Sequence, residues 1–152
     1  MMFAKTLALL ATAAFAAAET HTVSFDNRCG YGEPVIFQNF KQLNSNGGSY
    51  TFNGPATAVI AYLQNGNCGQ SGENCSLMEL TLINGGVSSA DISLIPPHSF
   101  SQTIGFGYYN GCDGAGKQCT SANCPEAFHV TDDYGAQVQC TANDVNLAIT
   151  FC

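Results

Sequence analysis

Carboxylate side chains are the residues of this sequence best suited to chemistry. The candidates are Glu79, Asp91, Asp113, Asp132 and Asp133. Glycoside hydrolysis needs two such groups, because one acid protonates the leaving oxygen while the other carboxylate attacks the sugar or activates water. The sequence does not give the distance between any two of them, so it indicates a class of chemistry and leaves the pair open.

Two of these carboxylates lie in stretches that alternate like a β-strand. In LMELTL (77–82) apolar residues occupy every second position, so Glu79 points to the opposite face. In DISLI (91–95) the same period turns Asp91 away from Ile92 and Leu94. We therefore expect both carboxylates on solvent faces of strands, where such groups also serve simply to keep the surface polar.

Short strands separated by turns account for most of the chain. The strand-like stretches are 20–25, 49–52, 57–63, 77–83, 91–95, 101–106 and 145–151. Alternating segments with Asn-Gly and Gly-Gly turns between them predict an all-β sandwich or barrel without a helix. In the last stretch one face, assigned to the core, carries Val145, Leu147, Ile149 and Phe151.

The first residues indicate export. MMFAKTLALLATAAFAAA has a lysine near its start, an apolar run and small residues at its end, the pattern of a secretory signal peptide. We expect residues 1–18 to be removed after Ala18 and residues 19–152 to form a single domain. The mature protein is expected to be secreted, extracellular or associated with the cell wall, and to have no membrane-spanning segment.

All 8 cysteines lie in the expected mature chain. An even number of cysteines in a secreted protein predicts four disulfides, and the spacing alone leaves their pairing open. A zinc site at Cys119 and Cys124 is the alternative, but secretion and the lack of paired C-x-x-C motifs argue against it. We therefore expect neither a metal nor another cofactor.

Charge narrows the choice of partners. The sequence has 11 acidic residues against 4 Lys and Arg, and its formal net charge is −7. Nucleic acid and anionic membranes attract basic surfaces, so both are excluded as partners. An acidic surface rich in Asn, Ser and Thr suits a neutral polysaccharide or a cationic partner, and we expect a monomer.

Three further features are candidates for binding or modification. Tyr108 and Tyr109, in GFGYYNGC, can offer stacking surfaces to sugar rings. His21 would bind copper with a second histidine if processing exposed it as the first residue, but cleavage after Thr20 does not fit the small-residue rule. Asn74 begins a glycosylation acceptor, Asn-Cys-Ser, although a disulfide at its central cysteine argues against occupancy.

The chain resembles the thaumatin-like proteins through several motifs in order. VSFDNRC near the expected mature start is similar to the family's F-x-(I/V)-x-N-x-C, and NLAITFC at the end is similar to Y-x-(I/V)-x-F-C-P. GCDGAGKQC (111–119) and CPEAFHVTDDYGAQVQC (124–140) resemble its later cysteine segments, while SLMELTL and DISLI resemble L-A-E-F-T-L and D-I-S-L-V. The likeness is to small members that lack a disulfide-rich second domain, such as secreted fungal proteins called glycopeptides.

The resemblance implies a thaumatin-like β-sandwich of two antiparallel sheets, held by disulfides. Carried over position by position, it implies the pairs Cys29–Cys152, Cys68–Cys75, Cys112–Cys140 and Cys119–Cys124. The first of these would tie the opening strand to the closing strand.

The family's acidic cleft contains one Arg, one Glu and three Asp, and only part of it has a match here. Glu79 matches the cleft Glu, Asp91 the Asp of D-I-S, and Asp133 the Asp after the C-P-x-A-F run. Pro96 stands where the family often has another Asp, and IAYLQ (60–64) replaces the motif that carries the Arg. Without that Arg, repulsion between like charges is expected to raise the pKa of one carboxyl group.

Many thaumatin-like proteins bind β-1,3-glucan, some hydrolyse it and many inhibit fungal growth. The resemblance therefore implies a protein that binds cell-wall β-glucan, with Glu79 as general acid and Asp91 or Asp133 as partner carboxylate if weak endo-β-glucanase turnover occurs. Because the cleft is incomplete, we favour binding over hydrolysis. The alternative is a non-enzymatic secreted antifungal or effector protein whose acidic face meets another macromolecule.

Overall fold

A computed structural model describes residues 18–152 of the chain, so the predicted signal peptide lies outside the described residues except for Ala18. The described part contains strands and one 3₁₀ turn at Tyr134–Ala136. The strands are β1 (Thr20–Asn27), β2 (Glu33–Gln38), β3 (Lys41–Gln42), β4 (Tyr50–Asn53), β5 (Ala56–Gln64), β6 (Leu77–Leu82), β7 (Ser88–Ser93), β8 (Ile104–Tyr109), β9 (Gly116–Cys119), β10 (Ala127–Phe128), β11 (Val138–Cys140) and β12 (Asn146–Phe151).

These strands form two sheets that face each other across one core. The 5-stranded sheet has the order β4-β1-β12-β8-β9. The 7-stranded sheet has the order β10-β7-β6-β5-β2-β3, and β11 also pairs with β7. The predicted all-β sandwich is therefore confirmed.

Both sheets are mixed, which corrects the expectation of two antiparallel sheets. β1 runs parallel to β12, with Val23 opposite Leu147, and β10 runs parallel to β7. Alternation along a strand reports which face a residue occupies but not the direction of the neighbouring strand. The sequence pattern therefore predicted the layers correctly, whereas the antiparallel direction that the resemblance implied is wrong for these two strand pairs.

The core lies between the two sheets and includes the inward face of β12. Leu147, Ile149 and Phe151 are fully buried, as is Val145 just before the strand, which confirms the assignment of this face. On the facing sheet the inward residues of β6 and β7 contribute to the same cluster: Met78, Leu80, Leu82, Ala90 and Ile92. The opposite faces of β6 and β7 are thereby turned outward, where they present Glu79 and Asp91.

A second apolar cluster covers part of the outer face of the 7-stranded sheet. It contains Val35, Phe37, Tyr62 and Leu77, with the rings of Phe37 and Tyr62 stacked 5.9 Å apart. The Tyr62 hydroxyl donates a hydrogen bond to the backbone oxygen of Gln70, at 3.1 Å. This contact attaches the loop closed by the Cys68–Cys75 disulfide to one side of the outer face.

The segment 124–140 covers the other side of that outer face. Its two short strands, β10 and β11, pair with opposite halves of the outer edge of β7, and the 3₁₀ turn lies between them. Pairing from this segment explains why Asp91, although it points away from the core, is only 8% exposed.

The eight cysteines form four disulfides, and the pairs are the ones that the resemblance implies. They are Cys29–Cys152, Cys68–Cys75, Cys112–Cys140 and Cys119–Cys124. The first joins residues 123 positions apart, at the ends of the parallel strands β1 and β12. Within the part of the chain that the structure describes, no helix is long and apolar enough to cross a membrane.

Removing the Cys29–Cys152 bond is expected to lower the free energy of unfolding by about 4–5 kcal/mol, because the bond restricts the unfolded chain over a very long loop. The test compares wild type with the double variant Cys29→Ala and Cys152→Ala, which leaves no unpaired thiol, in urea unfolding. A loss below about 1 kcal/mol would mean that this bond adds little to the strand pairing.

Candidate functional site

Two depressions meet on the outer face of the 7-stranded sheet. The larger has a volume of about 510 Å³ and the smaller about 350 Å³. Ala58, Ile60 and Glu79 line both of them, so they form one continuous feature, which we call the sheet groove. The segment 124–140 borders the larger depression, and the Cys68–Cys75 loop borders the smaller one.

Glu79 and Asp91 lie side by side on the floor of the sheet groove. They are opposite each other in the register of β6 and β7, which places their β-carbons about 5 Å apart. Thr81 and Ser89 continue the same polar floor by one further pair along these two strands. The two carboxylates that the alternation turned outward are thus brought together by strand pairing.

The two carboxyl groups have different environments. Glu79 is exposed at the point where the two depressions meet, whereas Asp91 is buried beneath the segment 124–140. Burial raises the pKa of Asp91 to about 6, the charge of Glu79 raises it further, and a hydrogen bond from the Gln137 side chain partly opposes the increase. Asp91 is therefore a proton donor at mildly acidic pH, and the expected rise in one pKa falls on this residue.

Asp133 lies apart from this pair. Its Oδ2 atom accepts hydrogen bonds from the backbone N–H groups of His129 (2.8 Å) and Val130 (3.1 Å), which hold the pKa of Asp133 below its usual range. It lines a separate depression of about 280 Å³ and not the sheet groove. The carboxylate therefore holds the loop that leads into the 3₁₀ turn, and Tyr134 lines both this depression and the groove.

The tyrosines selected from the sequence do not border the groove. Tyr108 is only 2% exposed, and its hydroxyl donates a hydrogen bond to the backbone oxygen of Val138, at 3.0 Å. Tyr109 is half-buried at the end of β8, in the other sheet. Tyr108 therefore cannot stack on a sugar, because its ring is buried. The sequence prediction failed here because a local run of aromatic residues does not reveal which face the second sheet covers.

Two other aromatic side chains border the groove and were not selected from the sequence. Phe40 is 77% exposed beside the smaller depression, and Tyr134 is 76% exposed beside the larger one. Both lie in turns, where an aromatic residue has no strand neighbours to cover it. An aromatic residue between polar turn residues, as in QNFKQ and TDDYGA, is the sequence signal that could have found them.

The groove floor is shaped by an irregularity in β5. The register between β5 and β6 shifts between Ala56 and Val59, and Ala58 has a positive φ of 50°. A β-bulge of this kind turns one residue out of the pleat, and Ala58 lines both depressions as a result. Its N–H group donates to Oγ1 of Thr81, at 3.2 Å.

The sheet groove is acidic, and its lining carries two carboxylates with neither lysine nor arginine to offset them. None of its lining residues, all of which belong to the described part of the chain, is Lys or Arg. Arg28 forms an ion pair with Asp26, and Lys117 donates a hydrogen bond to the backbone oxygen of Gly135. A hydroxyl-rich neutral ligand or a cationic one is therefore favoured over an anionic ligand.

His21 is not available to a metal. Its ring is fully buried, with Nδ1 2.6 Å from the backbone oxygen of Val145 and Nε2 3.0 Å from the Glu19 carboxylate. Both ring nitrogens are therefore occupied by protein groups. Among residues 18–152 no group of three or more His, Cys, Asp and Glu side chains is arranged to hold a metal ion.

Asn74, the candidate glycosylation residue, is exposed on the Cys68–Cys75 loop, so a glycan would have room there. Ser76 of the same acceptor motif is fully buried and donates a hydrogen bond to the backbone oxygen of Gln102. Any glycosylation at Asn74 would therefore have to precede the folding of this loop, and its occupancy stays a prediction.

The fold has a counterpart among solved structures. A thaumatin-like xylanase inhibitor superposes with a TM-score of 0.55 and 18% identity, over 87% of this chain and 98% of that chain. The architecture is thus a thaumatin-like β-sandwich.

Two curated relatives, both from Avena sativa, carry the same family name. Thaumatin-like pathogenesis-related protein 4 is 29% identical, over 100% of this chain and 99% of its own length. Thaumatin-like pathogenesis-related protein 2 is 33% identical, over 57% of this chain and 46% of its own length. No protein-family model matches the chain. The chain is thus similar to thaumatin-like proteins in sequence and shares the fold of one of them.

The pKa of Asp91 predicts how stability depends on pH. It is about 6 in the folded chain against an ordinary 3.8, so the stability due to neutral Asp91 is present below pH 4 and lost as the pH rises through 6. Asp91→Asn should therefore gain roughly 2–3 kcal/mol relative to wild type between pH 4 and pH 7, at about 1.4 kcal/mol per pH unit. Urea unfolding of both proteins at the two pH values measures this.

Glu79→Gln is the companion variant for this experiment. The charge of Glu79 is the second cause of the raised pKa, so its removal should move the loss of stability to lower pH without abolishing it. An Asp91→Asn protein that keeps a constant difference from wild type across this pH range would contradict the raised pKa.

Proposed function

We propose that this protein is a secreted, carbohydrate-interacting protein of the defence type, which binds neutral cell-wall polysaccharide, β-1,3-glucan in particular, in the sheet groove. The observation that carries the proposal is the cross-strand pair of Glu79 and Asp91 on the floor of a groove bordered by exposed aromatic rings. Carboxylates accept hydrogen bonds from sugar hydroxyls, and the missing cations leave anionic chains without a counter-charge.

The names of the similar proteins support a defence role without indicating a particular ligand. The two curated proteins are named pathogenesis-related, and the structural neighbour is named a xylanase inhibitor. Both descriptions suit a protein that meets a cell-wall polysaccharide or an enzyme that degrades one. The four disulfides suit the oxidising surroundings of a secreted protein.

If the protein also hydrolyses glucan, the environments favour Asp91 as the general acid. Its pKa of about 6 keeps it protonated at mildly acidic pH, whereas Glu79 is exposed and next to it. This reverses the assignment favoured from the sequence, in which Glu79 was the acid. Asp133 is a weak candidate for the partner because its carboxylate binds backbone N–H groups away from the groove.

Binding is favoured over hydrolysis for two reasons. Pro96 occupies the position of a further cleft carboxylate and is exposed beyond the end of β7. The groove is also open along its length, so it excludes little water from a bound chain, and exclusion of water strengthens the electrostatic effects on which catalysis depends.

A second candidate function follows from the acidic surface. A non-enzymatic antifungal or effector protein would use the same groove and its exposed aromatic rim to bind a basic protein. Such a complex would be weakened strongly by salt, whereas the binding of a neutral polysaccharide would not.

The proposal predicts that purified protein is depleted from solution by insoluble β-1,3-glucan, and that Glu79→Gln and Asp91→Asn weaken this depletion. Asp132→Asn removes one exposed carboxylate outside the groove and is the matched control. Reducing-sugar release is measured in the same samples below about pH 6, where Asp91 is protonated.

Depletion without sugar release would support binding and reject hydrolysis. Sugar release that is lost in Asp91→Asn would add the enzymatic activity. If the wild-type protein is not depleted by glucan, the proposed polysaccharide function is rejected, and the salt-sensitive binding of a basic protein becomes the better account.

A further inference from the structure

We propose that Phe40 and Tyr134 are two stacking platforms at opposite ends of the sheet groove, and that they hold one extended polysaccharide chain across the strands. This inference rests on the proposed function, and it assigns the sugar-stacking role to these two residues instead of Tyr108 and Tyr109. The acidic pair, Glu79 and Asp91, lies between the platforms and would contact the middle of the bound chain.

The placement of the two rings follows from the strand order. Phe40 follows β2 and borders the smaller depression, while Tyr134 lies on the segment that covers β7 and borders the larger one. β2, β5, β6 and β7 are consecutive neighbours, so the strand that leads to Phe40 and the strand that the Tyr134 segment covers are three strand spacings apart, or about 14 Å. This distance is too long for one sugar ring and suits an oligosaccharide of several rings.

Phe40 occupies a backbone conformation that is unfavourable for its side chain. Asn39 and Phe40 are the two residues between β2 and β3, and both have positive φ angles, 52° and 62°. A two-residue hairpin with these angles favours Asn followed by Gly, because a β-carbon is strained in this region. The chain has Asn at the first position but keeps a bulky aromatic residue at the second.

The Phe40 side chain gains little from packing in exchange for this strain, since 77% of it is exposed. Its backbone is nevertheless held in place, because Nε2 of Gln70 donates a hydrogen bond to the Phe40 oxygen, at 3.0 Å. Strained, exposed residues that are held by their neighbours are typical of binding sites.

Tyr134 is exposed in the same way and is held by different contacts. Its N–H group donates to the backbone oxygen of Asp132 at 2.8 Å, and Asp133 caps the preceding turn. Lys117 donates to the oxygen of the next residue, Gly135, at 2.6 Å. The ring is thus presented on a turn whose backbone is fixed from both sides.

The chemistry of the groove indicates a neutral chain as its ligand. Aromatic faces attract the C–H groups of sugar rings, and the carboxylates between them accept hydrogen bonds from hydroxyls. The groove has no Lys or Arg among its lining residues, so an anionic polysaccharide would meet uncompensated repulsion. A basic protein is the other class of partner for such a surface, and its binding would be weakened by salt.

The experiment compares four proteins: wild type, Phe40→Gly, Tyr134→Ala and the control Tyr31→Ala. Tyr31 is also an exposed aromatic residue, at 50%, but it does not border the groove. Binding of each protein to insoluble β-1,3-glucan is measured by depletion at low and high salt. Phe40→Gly and Tyr134→Ala should each bind roughly 2- to 12-fold more weakly, the contribution of one aromatic contact, and Tyr31→Ala should bind like wild type.

Unfolding in urea accompanies the binding measurement. Phe40→Gly should unfold at a midpoint at least as high as that of wild type, because glycine adopts this φ without strain. Weaker binding by a protein of equal or greater stability cannot be attributed to damage to the fold.

Soluble β-1,3-linked oligosaccharides of increasing length supply the second readout. For wild type, competition by these oligosaccharides should strengthen with their length until the chain reaches both rings. For Tyr134→Ala this strengthening should stop at a shorter chain. A length dependence that is identical in the two proteins would overturn the two-platform arrangement.

The outcomes separate the two proposals. If wild type binds glucan and neither groove variant differs from Tyr31→Ala, the platforms are rejected while the proposed function stands. If wild type binds no glucan, both proposals are rejected. If high salt abolishes depletion by glucan, charge and not ring stacking drives the association. That result would reject the platforms and favour a basic protein as the natural partner over a neutral chain.

Discussion

The parallel pairing of β1 with β12 holds the centre of the 5-stranded sheet, against which the other layer packs. β12 lies at the centre of the 5-stranded sheet, between β1 and β8, and its inward residues are fully buried in the core. The Cys29–Cys152 bond joins the ends of this pair across 123 residues. The first and last strands are thus held together, and the 7-stranded sheet buries its inner face against the sheet to which they belong.

The outer face of the 7-stranded sheet becomes a groove because disulfide-bonded segments cover it on both sides. The Cys68–Cys75 loop rests on Tyr62 and Phe37, while the segment 124–140 pairs with β7 and is tied down by Cys112–Cys140 and Cys119–Cys124. The same covering buries Asp91 and leaves Glu79 exposed, and this burial raises the pKa of Asp91. The walls thus determine both the shape and the acid–base character of the floor.

Strand alternation predicted the inner faces well, and it correctly turned Glu79 and Asp91 away from the core. It missed β2, EPVIFQ, because four consecutive buried residues hide the period of two: both faces of this strand are covered. It also placed Asp91 in solvent, since the pattern within a strand contains no information about the distant segment 124–140 that covers it. Tyr108 illustrates the same limit, because its hydroxyl contacts Val138, which lies far along the chain from its own strand.

The all-β class, the core face of β12 and the outward direction of two carboxylates can be predicted from the residues alone, because a strand's period of two is a local property. The resemblance to a family added the disulfide pairs. Other features are visible only in the folded chain. Glu79 lies opposite Asp91, and the Asp133 carboxylate binds the backbone of a turn. Phe40 and Tyr134 border the groove. These relations depend on strand register and on distant segments. The local sequence pattern of a strand or a turn contains no information about either.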